Sequence, residues 1–120
     1  MIYVEHINNK ENFPNWEYVG REWFGLKESI LANPFKIGKD ISRSESIKRY
    51  KKHIFKLIID KDINVLNEFI RLYEKSCNGD LYLLCWCYPK KCHAEVIRDV
   101  LMFGGIDQLG RVTCFKSKAV

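Results

Sequence analysis

An α/β domain with a small, partly parallel sheet flanked by about three helices is what this sequence predicts, and three observations carry it. Apolar residues recur at spacings of three and four over 42–58, again from about 64, and again after 92, the period of helices with one buried face. Residues 81–87 are apolar without interruption, as in a strand covered on both sides. Two short runs near the start, 2–6 and 16–20, are rich in aromatic and β-branched residues. Strands separated by helices favour a compact sheet with at least some parallel pairing. A chain of 120 residues with 47% hydrophobic content can fill one core and is too short to expect two, so residues 1–120 read as a single domain.

In chain order, "IYVEH" (2–6) and "WEYVG" (16–20) are the first two strands, separated by the loop "INNKENFPN". The next stretch, to about residue 40, is punctuated by Gly25, Asn33-Pro34 and Gly38, with a helical turn expected over 26–32. Irregular segments on a rigid scaffold are where binding groups tend to sit. Ser42 and Glu45 have the spacing of a capping box, which starts a helix whose Ile47, Tyr50, Ile54, Leu57 and Ile58 form the buried stripe. A second helix from about Asn64 buries Val65, Leu66, Phe69, Ile70 and Tyr73 and stops at Gly79. The run 81–87 is the central strand, ended by Pro89. A third helix follows, facing the core with Val96, Ile97, Val100 and Leu101 and ending at Gly104 and Gly105. "RVTCFKSKAV" supplies an edge strand before the chain ends.

No stretch approaches the roughly 20 apolar residues of a membrane span, and the start lacks the order of a secretory signal, so a cytoplasmic protein without a membrane partner is expected. In a reducing compartment, five unevenly spaced cysteines read as thiols or ligands rather than as disulfides. The net charge is +5, and its excess is central: residues 41–75 hold nine basic and five acidic groups. Much of it lies in "SRSESIKRYKKHIFK", which reads either as a solvated helix face or as a surface for nucleic acid or an acidic host protein. His6 and His53 read as solitary histidines, and Cys77 and Cys114 as ordinary packing or surface residues.

"CWCYPKKCH" (85–93) concentrates the chemistry. On a strand Cys85 and Cys87 share one face and Trp86 takes the other, while Cys92 opens a helix beyond the strand's carboxyl end, the usual ligand edge of an open α/β sheet. Three readings stand open. Cys85, Cys87, Cys92 and His93 supply the donor types and number of a zinc site, although adjacent Cys92 and His93 point about 100° apart on a helix. Alternatively Cys92 is a nucleophilic or redox-active thiol, acidified by the helix N-terminus, Lys90, Lys91 and His93, with His93 as its partner. In the third reading Cys85 and Cys87 simply pack the sheet.

The segments "YVGR" (18–21), "ANPFKIG" (32–38), "SIKRYKKHI" (46–54) and "LLCWCYPKKCHAEVI" (83–97), in this order, resemble the domain of unknown function 4326 family over about residues 18–101. The resemblance implies a bacteriophage or bacterial source and assigns no activity. It directs attention to Gly20, Arg21, Asn33, Pro34, Phe35, Cys85, Trp86, Cys87, Pro89, Cys92 and His93. The chain departs from the family pattern in a longer stretch between Arg21 and Asn33 and in its tail after Gly105. From these positions the expected ligand is small and anionic, nucleotide-like in character. Arg21 serves as anion clamp, Asn33 as orienting group, and Trp86, or a tryptophan or phenylalanine of 22–35 such as Phe35, as the surface on which a ring stacks, beside a helix start that favours anions. Cys92 and His93 are the candidate catalytic pair should the domain be an enzyme.

Overall fold

The computed structural model describes residues 1–103, so the expected tail strand, the Gly104 and Gly105 helix stop and Cys114 lie outside the described residues. Its three strands are β1 (Ile2–His6), β2 (Trp16–Tyr18) and β3 (Leu81–Cys85), and its three α-helices are α1 (Arg43–Ile59), α2 (Ile63–Cys77) and α3 (His93–Phe103). A 3-10 helix, Ile7–Asn12, follows β1. The sheet order is β1-β3-β2, and both pairings are parallel. β3 is central, as its uninterrupted apolar run requires, and Leu81, Leu83, Leu84 and Cys85 are all buried. Parallel neighbours need crossover connections. β1 reaches β2 through the 3-10 helix, which packs on β1 and β3; β2 reaches β3 through α1 and α2.

Register assigns the two faces. Ile2 and Val4 on β1 pair with Leu81 and Leu83 on β3, and these four join Tyr50, Ile54, Ile58, Phe69, Leu72, Ile97 and Leu101 of the helices in one buried core. Side chains of the opposite parity form an aromatic face, where Tyr3 stacks on Tyr82 and Tyr82 on Phe13. β2 is tied to the helical layer by Glu17, on which Arg71 and Lys75 of α2 converge.

The capping box forms in part: Ser42 Oγ accepts from the Glu45 backbone N–H at 3.1 Å, but the Glu45 carboxylate pairs with Arg49 one turn on instead of reaching back. In α2 the cap is Asp62, and Leu72 takes the fully buried place while Leu66 and Ile70 are half-buried. Of the helical turn expected over 26–32 only one hydrogen-bonded turn forms, the Ala32 N–H to the Ser29 carbonyl at 3.1 Å. Ahead of it Trp23 and Leu26 exchange backbone hydrogen bonds around Phe24 and Gly25, whose φ of +73° suits glycine. The Ser29 N–H then ties the loop to the Gly20 carbonyl. The last strand is also shorter than its apolar run. It ends at Cys85, after which Trp86 turns outward and the Lys90 N–H bonds the Cys87 carbonyl across a cis Tyr88-Pro89 bond.

Candidate functional site

A cleft of about 460 Å³ opens at the carboxyl ends of β2 and β3. All eight residues predicted for binding, catalysis or metal ligation line it: Arg21, Asn33, Phe35, Cys85, Trp86, Cys87, Cys92 and His93. They come from four separate places in the chain, and the parallel sheet gathers them at one edge.

One wall is a chain of hydrogen bonds. Trp86 Nε1 donates to Tyr18 Oη at 2.9 Å, and Tyr18 Oη donates to the Arg21 carbonyl at 2.6 Å. Arg21 Nε donates to the Asn33 carbonyl at 2.8 Å. The Asn33 side chain is buried and closes its own loop: Oδ1 accepts from the Phe35 N–H and Nδ2 donates to Ser46 Oγ, both at 2.9 Å. Ser46 Oγ in turn donates to the Phe35 carbonyl. Asn33 is therefore a structural keystone of the Asn-Pro turn, and Arg21 is aimed by that turn.

Arg21 makes no ion pair among the described residues. Its Nε is anchored, which leaves the two terminal nitrogens of the guanidinium toward solvent and cleft. Trp86 and Trp23 meet beside it with ring centroids 5.2 Å apart, 42% and 54% exposed. The two rings together form a contiguous exposed apolar patch on the cleft. Phe35 is half-buried against the core and His53.

His93 lies under the floor of the cleft. Its Nε2 donates to the Val19 carbonyl at 2.6 Å, and its ring meets the edge of Tyr50. Burial holds the imidazole neutral, with its pKa lowered to about 4; the Val19 hydrogen bond opposes that shift and the Arg21 charge adds to it. A group so weakly basic is poorly suited to general-base work near neutrality; what the geometry shows is a side chain that ties α3 to the end of β2.

The thiols also divide differently from the sequence reading. Cys85 Sγ and Cys92 Sγ are 3.0 Å apart, and Cys92 caps α3 together with Glu95, whose backbone N–H bonds the Cys92 carbonyl at 3.1 Å. The thiol expected to be acidic was Cys92, but its pKa is raised, by its hydrogen bond to Cys85, by burial and by the Cys85 charge. Cys85 is lowered to about 7. The Cys92 hydrogen bond is the main cause and outweighs burial, and backbone N–H groups of Tyr88 and Cys87 add to it. The pair's negative charge is therefore better stabilised on Cys85 than on Cys92. Cys87 is half-buried on the same cleft. As for zinc, His93 turns its Nε2 to Val19, and among the described residues no group of three or more His, Cys, Asp or Glu is arranged to hold a metal ion.

A family model described as "Domain of unknown function (DUF4326)" matches residues 2–102. The chain belongs to this family. The DUF4326 match extends the resemblance seen in the motifs to β1 and to nearly all of α3. Neither a curated protein nor a solved structure matches the chain.

Two members of the hydrogen-bonded wall of the DUF4326 cleft escaped the sequence reading. Ser46 had a signal, since it stands four residues before Tyr50 in the register of Ile54 and Ile58, a buried polar group on an apolar stripe. Tyr18 had none, because its link to Trp86 joins residues 68 positions apart.

Proposed function

We propose that this domain binds a small anionic ligand carrying a flat ring, a nucleotide or a compound of similar build, in the cleft at the carboxyl edge of the sheet. The observation that carries the reading is Arg21, anchored through Nε to the Asn33 carbonyl with no ion-pair partner among the described residues, beside the exposed Trp86 and Trp23. A guanidinium so held is pre-oriented for two parallel hydrogen bonds to phosphate or carboxylate. The indole rings offer the stacking surface for a base. Isothermal titration with nucleoside mono-, di- and triphosphates and with inorganic phosphate tests it. Saturable binding of one of these, reduced at least tenfold by Arg21→Gln in a variant of unchanged circular dichroism, is expected. Absence of binding across the panel, or equal binding by the variant, overturns the reading.

A second reading rests on α1. Its Lys48, Lys51 and Lys52 are exposed and make no ion pair among the described residues, whereas Arg49 and Lys56 pair with Glu45 and Asp60. That bare lysine row suits a polyanion such as nucleic acid. Binding of a labelled DNA duplex through this face would fall steeply as salt rises and would be lost in Lys51→Glu/Lys52→Glu, while Arg21→Gln would leave it unchanged.

A further inference from the structure

We propose that Cys85 and Cys92 form a redox-active dithiol that takes hydrogen peroxide as its oxidant and closes to an intramolecular disulfide at the floor of the cleft. The case is geometric. The two sulfurs stand 3.0 Å apart, one at the end of β3 and the other at the start of α3. A disulfide bond of about 2.05 Å requires the sulfurs to approach by about 1 Å more. Both side chains line the cleft, yet Cys85 is only 2% and Cys92 3% exposed. So little exposure favours a small oxidant that enters by the cleft and excludes a protein or peptide disulfide.

The polar surroundings distinguish the two sulfurs. Two backbone N–H groups, of Tyr88 and Cys87, bond Cys85 and one, of Ala94, bonds Cys92, while the contact between the sulfurs lets either donate, so Cys85 is the better-stabilised thiolate and the attacking sulfur. Its thiolate attacks one peroxide oxygen; the O–O bond breaks, the leaving hydroxide takes a proton to become water, and Cys85 becomes a sulfenic acid. The Cys92 sulfur then attacks Cys85 Sγ, the S–O bond breaks, and the departing hydroxide leaves as water with the Cys92 proton. Two thiols lose two electrons, and one peroxide becomes two molecules of water. The product bond ties the end of β3 to the start of α3, across the segment that carries Trp86. None of this depends on what else the cleft binds.

The test is oxidation of the purified protein by a slight excess of hydrogen peroxide, followed by non-reducing tryptic mapping. Cleavage after Lys75, Lys90 and Lys91 separates the Cys92 peptide from residues 76–90, which hold Cys77, Cys85 and Cys87, so fragmentation assigns the crosslinked sulfur. The expected result is loss of two hydrogens from the intact chain, a Cys85–Cys92 crosslink located by fragmentation, and full reversal by dithiothreitol. Cys92→Ser should stop at the Cys85 sulfenic acid, trapped by dimedone at least about tenfold faster than the exposed Cys77 reacts. Should that variant fail to fold, the wild-type crosslink decides. A Cys85–Cys87 link, a disulfide between two chains, oxidation first at Cys77, or stoichiometric zinc found on the thiols of the purified protein would each overturn the proposal.

Discussion

Gly20 is bare because Tyr18 fills the space a side chain would need: a Cβ there would lie 2.5 Å from the phenol oxygen and 2.6 Å from the ring carbon that bears it. Tyr18 can retreat only by giving up the Arg21 carbonyl and the Trp86 indole. Gly20→Ala is therefore expected to cost about 1–3 kcal/mol in urea unfolding, with a shift in tryptophan emission as Trp86 is released. Ser46→Ala acts from the other side of the cleft. It strands the Asn33 amide and the Phe35 carbonyl without their shared hydroxyl, an expected loss of about 1–3 kcal/mol that Ser46→Thr need not repeat if its hydroxyl keeps both bonds. At this scale residue types were readable from the sequence and pair relations were not. Cysteine and histidine at 85–93 announced chemistry, but which thiol carries charge depends on the 3.0 Å contact between the sulfurs and on backbone N–H groups whose direction is set by the turn at Tyr88 and Pro89.

Helices were the readable elements, because a stripe of period 3.6 is a local property that the core only has to accept. α1 and α3 bury the residues their spacing predicts, with Ile47 and Leu57 at the margin. The loop over 21–41 was not readable. Its shape is set by ties to distant groups: Ser29 to Gly20, the Tyr50 hydroxyl to the Leu31 carbonyl, and Asn33 to Ser46. α1 thus serves partly as a post for this loop, which makes its start worth testing. Ser42→Ala removes the hydroxyl that accepts from the Glu45 N–H and should lower stability by about 1 kcal/mol in thermal or urea melts. The turn between α1 and α2 holds Lys61 at φ +58°, a left-handed conformation that a side chain adopts at a cost. Lys61→Gly relieves it and should raise stability by up to about 1 kcal/mol, despite the added freedom of glycine in the unfolded chain.

Across the molecule, the neutral His93 couples folding to acidity. In the unfolded chain an imidazole protonates near the ordinary 6.5, whereas burial delays this in the folded chain to about 4. Stability from the neutral ring is fully present above about pH 6.5 and is lost as pH falls toward 4, by about 3 kcal/mol in all. Glu17 adds a later step. Burial raises its pKa, but hydrogen bonds and charge from Arg71 and Lys75 prevail and hold it below the ordinary carboxylate value, so its contribution is present above about pH 4.5 and fails below it. Urea melts from pH 7.5 to 3.5 should show the first loss in the wild-type chain and a flatter curve in His93→Gln. The fold class was readable at this scale because continuous apolarity at 81–85 demands a central strand. The full parallel order was not, since nothing local in 2–6 or 16–18 states which side of β3 each strand will take.

The order β1-β3-β2 has a consequence for a chain made from its first residue onward. β1 and β2 do not pair with each other; among the described residues each pairs only with β3, whose first residue, Leu81, follows Tyr18 by more than sixty positions. Two finished strands and both preceding helices therefore leave the ribosome before the strand that joins them exists. Pairing among the described strands waits until β3 clears the exit tunnel, and the sheet and the cleft edge that contains Cys85 are completed by the same few residues.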